Sequence, residues 1–293
     1  MSEAYIKKAE ILLEALPYMR RFQGQTMVIK YGGAAQLEPE LKAAFARDIT
    51  LLQYLGILPV VVHGGGPQIG KVLAQMDIPT RFVEGHRVTD ERTMDVVEMV
   101  LAGKINKEIV SIINNAGGAA VGLSGKDGRL LTARKLKFYK PREDEPPEII
   151  DIGLVGEVTA VNTDLIRSLQ AEHFIPVIAP VGVGDAGETY NINADTVAGA
   201  VARAVGAAKL ILLTDVPGVL DEEQQLVSSL DRDRALIMID QGTIKGGMIP
   251  KINCCLEAVT GGVGKAHILD GRVLHSVLLE IFTDTGIGTE IVG

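Results

Sequence analysis

Apolar residues in this 293-residue chain recur in two rhythms that alternate from Met27 onward. Short runs rich in Val, Ile and Leu at 26–30, 57–62, 119–123, 174–179, 209–213 and 265–269 have the length and branching of buried strands. Between them, 38–55, 66–76, 91–115, 163–172, 193–205, 231–240 and 247–260 place apolar residues every three or four positions and are expected to be helices. Strand and helix in alternation predict an α/β fold with a mainly parallel sheet, because parallel neighbours need a crossover connection.

Two stretches stand outside this rhythm. About 25 residues precede the first strand, with Ile6, Ala9, Leu12, Leu13 and Leu16 on one helical face, Ser2 available as N-cap, and Pro17 expected to kink or end the helix. Such a helix either packs on its own domain or reaches a neighbouring subunit. Lys140–Glu148 is too charged and proline-rich for a core element. It is expected to be an exposed excursion between hairpin strands at 130–133 and 155–161, and not a domain linker.

Two strands end in the same unusual way. Met27-Val28-Ile29-Lys30 runs into Gly32-Gly33, and Val60-Val61-Val62-His63 runs into Gly64-Gly65-Gly66. Glycines let the backbone approach an anion and turn N–H groups toward it, and a lysine at a strand end adds a fixed charge. Parallel strands about thirty residues apart would bring both turns to one edge of the sheet, where ligands bind in α/β folds. Three similar-looking motifs fit less well. Gly65–Lys71 has Walker A spacing, but Val72 stands where a hydroxyl must reach Mg²⁺. Gly182–Gly187 fits GxGxxG, but Glu188–Asn191 delay the next helix. His63–Gly66 has the form of a lipase oxyanion loop, but no G-x-S-x-G elbow accompanies it.

Composition narrows the partners. A net charge of −8 argues against nucleic acid or an anionic membrane, so an anionic ligand needs a locally built site. The two cysteines, Cys254 and Cys255, are adjacent, which makes a disulfide framework or a protein-held metal improbable and fits a reducing cytoplasm. No signal-peptide layout or membrane-length apolar run is present, so a soluble cytoplasmic protein is expected.

Taken in order, Lys30-x-Gly32-Gly33, Val62–Pro67, Gly85–Asp90, Asn191–Asp195, Leu213–Val219 and Gly246–Lys251 resemble the motifs of the amino acid kinase family. Within it, the chain is similar to the arginine-inhibited, hexameric members that phosphorylate N-acetyl-L-glutamate. The resemblance implies an open αβα sandwich with a mainly parallel sheet and two lobes: an N-terminal helix (1–25) for assembly and regulation, a lobe for the acetylated amino acid and dimerisation (26–182), and a lobe for ATP and arginine (183–293). The implied reaction joins the substrate's side-chain carboxylate to the γ-phosphoryl group of ATP. A carboxylate is already ionised near neutrality and needs no general base. Catalysis would then rest on alignment and on positive charge around the transferring phosphoryl.

By the same resemblance Lys30 and Lys251 supply that charge and Asp195 lies between them. Gly32, Gly33, Gly64 and Gly65 would offer N–H groups to the phosphoryl, with Gly64 and Gly65 also touching the substrate. Arg87 would grip the substrate α-carboxylate by two parallel bonds, and Asn191 would hold the same carboxylate or the acetamido group. Asp215 would belong to the adenosine pocket, and Mg²⁺ would be held by ATP phosphates and water, with no direct protein ligand assigned. For L-arginine as feedback inhibitor, Glu280 would receive the guanidinium, His267, Gly286 and Gly288 would lie near the rest of the ligand, and Tyr18 would close over it. The oligomer implied is a trimer of dimers. Two alternatives are another member of the family, such as an aspartate or glutamate kinase, and a non-catalytic arginine-sensing protein.

Overall fold

The computed structural model describes residues 2–142 and 145–293. Eight strands form the central sheet: β1 (Thr26–Tyr31), β2 (Leu58–His63), β3 (Ala120–Ser124), β4 (Ile175–Ala179), β5 (Lys209–Thr214), β6 (Ser229–Leu230), β7 (Lys265–Asp270) and β8 (Thr289–Ile291). Their order is β6-β8-β7-β5-β1-β2-β4-β3. Only β7 and β8 pair antiparallel. All six strands expected from the apolar runs are present. The two that the pattern did not reveal, β6 and β8, are too short to carry a period.

The helices are α1 (Ser2–Phe22), α2 (Pro39–Tyr54), α3 (Gly66–Gln75), α4 (Glu91–Glu98), α5 (Asn106–Asn115), α6 (Thr163–Ala171), α7 (Ala194–Val205), α8 (Arg232–Asp240), α9 (Met248–Thr260) and α10 (Ser276–Ile281). Because side chains alternate along a strand, the sheet builds one core on each face. Met27, Ile29, Val61 and Ile211 face a core closed by α2, α3, α4, α5 and α10. Val28, Val60, Val62 and Leu210 face another, closed by α6, α7, α8 and α9. The result is the expected αβα sandwich. A four-stranded sheet of Leu131–Lys135, Gly156–Val161, Val181–Val183 and Thr189–Asn191 adjoins it. The lobe boundary expected at 182 falls within the strand Val181–Val183.

Several local expectations are refined. The single helix expected over 91–115 is α4 and α5 joined by a π-helical segment, Met99–Ile105. Helix α1 does not end at Pro17 but continues to Phe22. Its expected cap at Ser2 depends on a side chain outside the described residues. Ile6, Leu12 and Leu13 are more than half exposed, so the apolar face of α1 is not covered by its own domain among the described residues. The charged excursion is a hairpin, Phe138–Arg142 with Glu145–Ile150, inserted between the paired strands as expected, although its tip at 143–144 lies outside the described residues. Gly184–Glu188 links two antiparallel strands, so the GxGxxG stretch leads to a hairpin and not into a helix.

Register sets the site. Lys30 lies level with Val62 on β2 and Leu212 on β5, and Tyr31 lies level with His63. The two glycine turns therefore leave the sheet side by side at the carboxyl ends of adjacent parallel strands. Ile211, fully buried on this sheet, tests the packing. Ile211→Ala should lower unfolding free energy by about 2–5 kcal/mol, read as a shifted urea midpoint with an unchanged slope.

Candidate active site

A cavity of about 310 Å³ opens where β1, β2 and α7 converge. Its lining includes Lys30, Gly32, Gly33, Gly64, Gly65, Arg87, Asn191, Asp195 and Lys251. Lys30 and Lys251, far apart in the sequence, thus share one space. Asp215 is not among them.

Asp195 sits in the first turn of α7, whose N-terminus is capped by Asn193 accepting from the N–H groups of Asp195 and Thr196 at 2.8 and 3.3 Å. The cap fixes the turn and leaves the carboxylate to face the lysines. Lys251 Nζ donates to Asp195 Oδ2 at 2.5 Å, and Lys30 Nζ lies 3.1 Å from Oδ1. That second contact is an ion pair in which both side chains are largely buried. Burial alone would push the Asp195 carboxyl up, but the two ammonium groups outweigh it and hold the group below its usual range. Asp195 is the single carboxylate among the described residues lining the cavity, and both lysines already engage it.

The glycine turns are held from behind. Gly33 has φ +67°, and a Cβ on it would lie 2.3 Å from Asp215 Oδ1. That same oxygen accepts from Ala34 N at 2.6 Å. Asp215, expected at the adenosine end, thus stands against the glycine loop. In the second turn Gly64 N donates to the Tyr31 carbonyl at 2.9 Å, so this N–H is committed to the scaffold and is not directed at a ligand. Gly32, Gly33 and Gly65 have N–H groups that meet no backbone acceptor among the described residues. At Gly65 a Cβ would fall 2.4 Å from Ile105 Cδ1 and 2.7 Å from Leu101 Cδ2, which the π-helical segment presses against the turn.

Arg87 is buried, with Nη2 donating to the Gly66 carbonyl at 3.0 Å and Nη1 to Thr80 Oγ1 at 3.2 Å, and its guanidinium lies 4.8 Å from the centre of the Phe82 ring. No carboxylate neutralises it among the described residues, which suits an anionic ligand. Asn191 Nδ2 donates to Thr89 Oγ1 at 3.3 Å.

Three further residues complete the site. Gln36 Nε2 donates to the Tyr31 carbonyl at 2.9 Å and lies 3.4 Å from the Gly64 carbonyl, bridging the two turns. His63 Nδ1 is 2.9 Å from the Gly64 carbonyl, and its Nε2 is 3.2 Å from Asn106 Nδ2. Asn106 was detectable as the polar residue three and seven positions before Ile109 and Ile113 on the apolar stripe of α5. Gln36 left no such signal.

A second cavity, about 520 Å³, lies at the opposite ends of β5 and β7 and is lined by Tyr18, Lys209, His267, Glu280 and Gly286 among others, while Gly288 is not in its lining. His267 Nδ1 donates to Glu280 Oε1 at 2.7 Å, and Lys209 Nζ donates to His267 Nε2 at 2.8 Å. The other Glu280 oxygen accepts from Ile287 N and Gly288 N at 2.7 and 3.2 Å. Both carboxylate oxygens, expected to meet a guanidinium, are thus already engaged. Tyr18 of α1 donates to Asp284 across the cavity mouth. Burial lowers the Lys209 ammonium to about 8.

The chain matches the amino acid kinase family over residues 25–270, and it belongs to that family. Among its relatives, the acetylglutamate kinase of Solidesulfovibrio magneticus is 64% identical over 97% of this chain and 96% of its own. Among solved structures, N-acetylglutamate synthase from Neisseria gonorrhoeae complexed with coenzyme A and N-acetyl-glutamate has 27% identity and a TM-score of 0.84. The match covers 97% of this chain but 63% of that longer one. The same synthase complexed with L-arginine matches at a TM-score of 0.80. Carbamate kinase from Giardia lamblia, 15% identical with a TM-score of 0.64, shares the fold.

His63 yields a test of the site's electrostatics. Burial lowers its pKa to about 4 from 6.5. The unfolded chain then binds more protons than the folded one between these values, so stability is complete above pH 6.5 and is lost as pH falls through about 4. Urea midpoints across pH 4–7 should fall with decreasing pH in the natural protein and less steeply in His63→Asn.

Proposed function

We propose that this chain transfers the γ-phosphoryl group of ATP to the side-chain carboxylate of N-acetyl-L-glutamate, giving N-acetyl-L-glutamyl 5-phosphate, an early step of arginine biosynthesis. The observation that carries the proposal is the convergence of Lys30 and Lys251, from opposite halves of the chain, on Asp195 between two glycine turns, in one cavity with the unneutralised Arg87. The acetylglutamate kinase relative, similar over nearly its whole length, supports the choice of acceptor.

In this proposal the N-terminal lobe to residue 182 holds the acetylated amino acid by Arg87 on its α-carboxylate, and Asn191, from just beyond that boundary, reaches the carboxylate or acetamido group. The lobe from 183 holds MgATP. The attacking carboxylate oxygen forms its bond to phosphorus as the bond to the ADP oxygen breaks, and no proton needs to move. Lys30 and Lys251 would meet the charge that spreads over the transferring oxygens, with N–H groups of Gly32, Gly33 and Gly65 as further donors. Asp195 would keep the two lysines convergent before the nucleotide arrives.

Trapping with hydroxylamine should show acyl phosphate formed from ATP and N-acetyl-L-glutamate but little from free glutamate. Lys251→Ala should lower kcat by about 10²–10³-fold, the loss expected of a charge-stabilising donor. Arg87→Ala should raise KM for the acetylated substrate by about 10–100-fold, since it meets a carboxylate that does not change during reaction. Equal turnover of free glutamate, or an unchanged KM in Arg87→Ala, contradicts the assignment.

We also assign feedback inhibition by L-arginine to the second cavity and a trimer of dimers, joined by α1, to the cytoplasmic enzyme. The synthase complexed with L-arginine supports the ligand, and the uncovered apolar face of α1 together with its Tyr18 at the cavity mouth supports the coupling. Removing residues 1–24 should reduce the hexamer to dimers and abolish inhibition while leaving basal activity. Sedimentation and assays with arginine check both, and a truncated protein that stays hexameric or inhibited removes the assignment.

A further inference from the structure

The amide that the second glycine turn offers to the cavity depends on a buried chain of polar groups behind it. A trans peptide is planar, so the Gly64 carbonyl and the Gly65 N–H lie in one plane and point in opposite directions. The carbonyl is drawn into the protein, to His63 Nδ1 at 2.9 Å and toward Gln36 Nε2 at 3.4 Å. The Gly65 N–H points the opposite way from that carbonyl, at a turn whose Gly64, Gly65 and Gly66 line the cavity.

The direction of these bonds is fixed one residue deeper. Asn106 is fully buried, as is His63. Its Nδ2 donates to the carbonyls of Val177 and Leu123 at 2.9 and 3.3 Å, and its Oδ1 accepts from Lys107 Nζ at 3.1 Å. Three partners thus set the amide's orientation independently of the histidine, since carbonyls require the NH₂ end and an ammonium requires the oxygen end. The NH₂ group has two hydrogens for three acceptors, so one of them is shared; His63 Nε2, 3.2 Å away and facing that group, can accept from it but cannot donate to it. The proton of the neutral ring then sits on Nδ1, where it can donate to Gly64. A ring protonated on Nε2 would instead set two donors face to face, and its bare Nδ1 would oppose the Gly64 carbonyl. Lys107 is the charged group facing this cluster, and with burial it disfavours an imidazolium. The π-helical segment Met99–Ile105 runs directly into Asn106, the first residue of α5.

We infer that Asn106 and His63 are positioning residues for phosphoryl transfer: Asn106 fixes the Nδ1–H tautomer of His63, and His63 fixes the peptide whose Gly65 N–H faces the transferring group. The role rests on the proposed kinase activity, but the tautomer does not, and the two can be tested apart.

The first measurement is ¹⁵N NMR of the full chain labelled at histidine, with the His63 signal among five histidines assigned by its loss in His63→Asn. A neutral ring protonated on Nδ1 from pH 5 to 8 is expected. Protonation on Nε2, or an imidazolium near neutrality, would overturn the inference whatever the protein catalyses. The second is steady-state kinetics with ATP and N-acetyl-L-glutamate. His63→Leu, which donates nothing, should lower kcat by about 10²-fold, the scale of one lost oxyanion donor, with either KM changed less than about 3-fold if the ground state is bound as before. His63→Asn places an amide N–H near the position of Nδ1 and should recover at least about tenfold of that loss. Equal kcat in the two variants at matched thermal stability, or an effect confined to KM, would show a structural role only. An inactive natural protein with the Nδ1–H signal intact would instead count against the kinase assignment.

Discussion

Two ammonium groups cannot share one cavity without an anion between them, and Asp195 is that anion. Everything around it serves to keep the charges close: β1 carries Lys30 one residue before its end, α9 brings Lys251 on its first turn, and the Asn193 cap holds the first turn of α7. The arrangement is costly to disturb. Removing one partner from a buried ionic cluster leaves an uncompensated charge, typically a loss of about 3–5 kcal/mol. It is also deliberately incomplete, because two cations against one carboxylate leave a positive excess. In a chain whose net charge is −8, that local excess is what makes a polyanionic ligand welcome here.

The two cavities lie at opposite ends of the same strands. Strand β5 begins with Lys209 in the second cavity and is followed by Asp215, which holds the first glycine loop through Ala34. Strand β7 carries His267 toward its start and Asp270 at its end. Six strand residues span roughly 20 Å, and a buried strand bonded on both sides is a stiff member. The second cavity is therefore linked to the glycine loop by a rigid element, and not by a chain of flexible contacts.

Much of this was legible in the sequence, for a physical reason. Burial on both faces forces continuous apolar runs, so Val60–Val62 and Leu210–Leu213 declare themselves as strands. The glycines that follow β1 and β2, with Lys30 near the end of β1, declare a place for an anion. What escaped was decided by contacts between distant segments. Gln36 has meaning only because β1 and β2 are adjacent, and Asn106, a polar residue on an apolar helical stripe, showed that it was buried but not that its partner is His63. Gly64 looked like an amide donor, yet its N–H is bonded to Tyr31 by the same adjacency. Glu280 looked available for a ligand, yet the fold surrounds it with His267 and two backbone amides.

Pro17 gives the first helix a property its ends do not reveal. Having no N–H, it leaves the Leu13 carbonyl without the usual intrahelical donor. The hydrogen-bonded ladder is therefore interrupted between a segment that carries Ile6, Leu12 and Leu13 into solvent and one that anchors through Tyr18 and Phe22. A rod broken in this way bends most easily at the break. That break at Pro17 lies one residue before Tyr18, beside the second cavity, so it separates the exposed outer turns from the docked inner one.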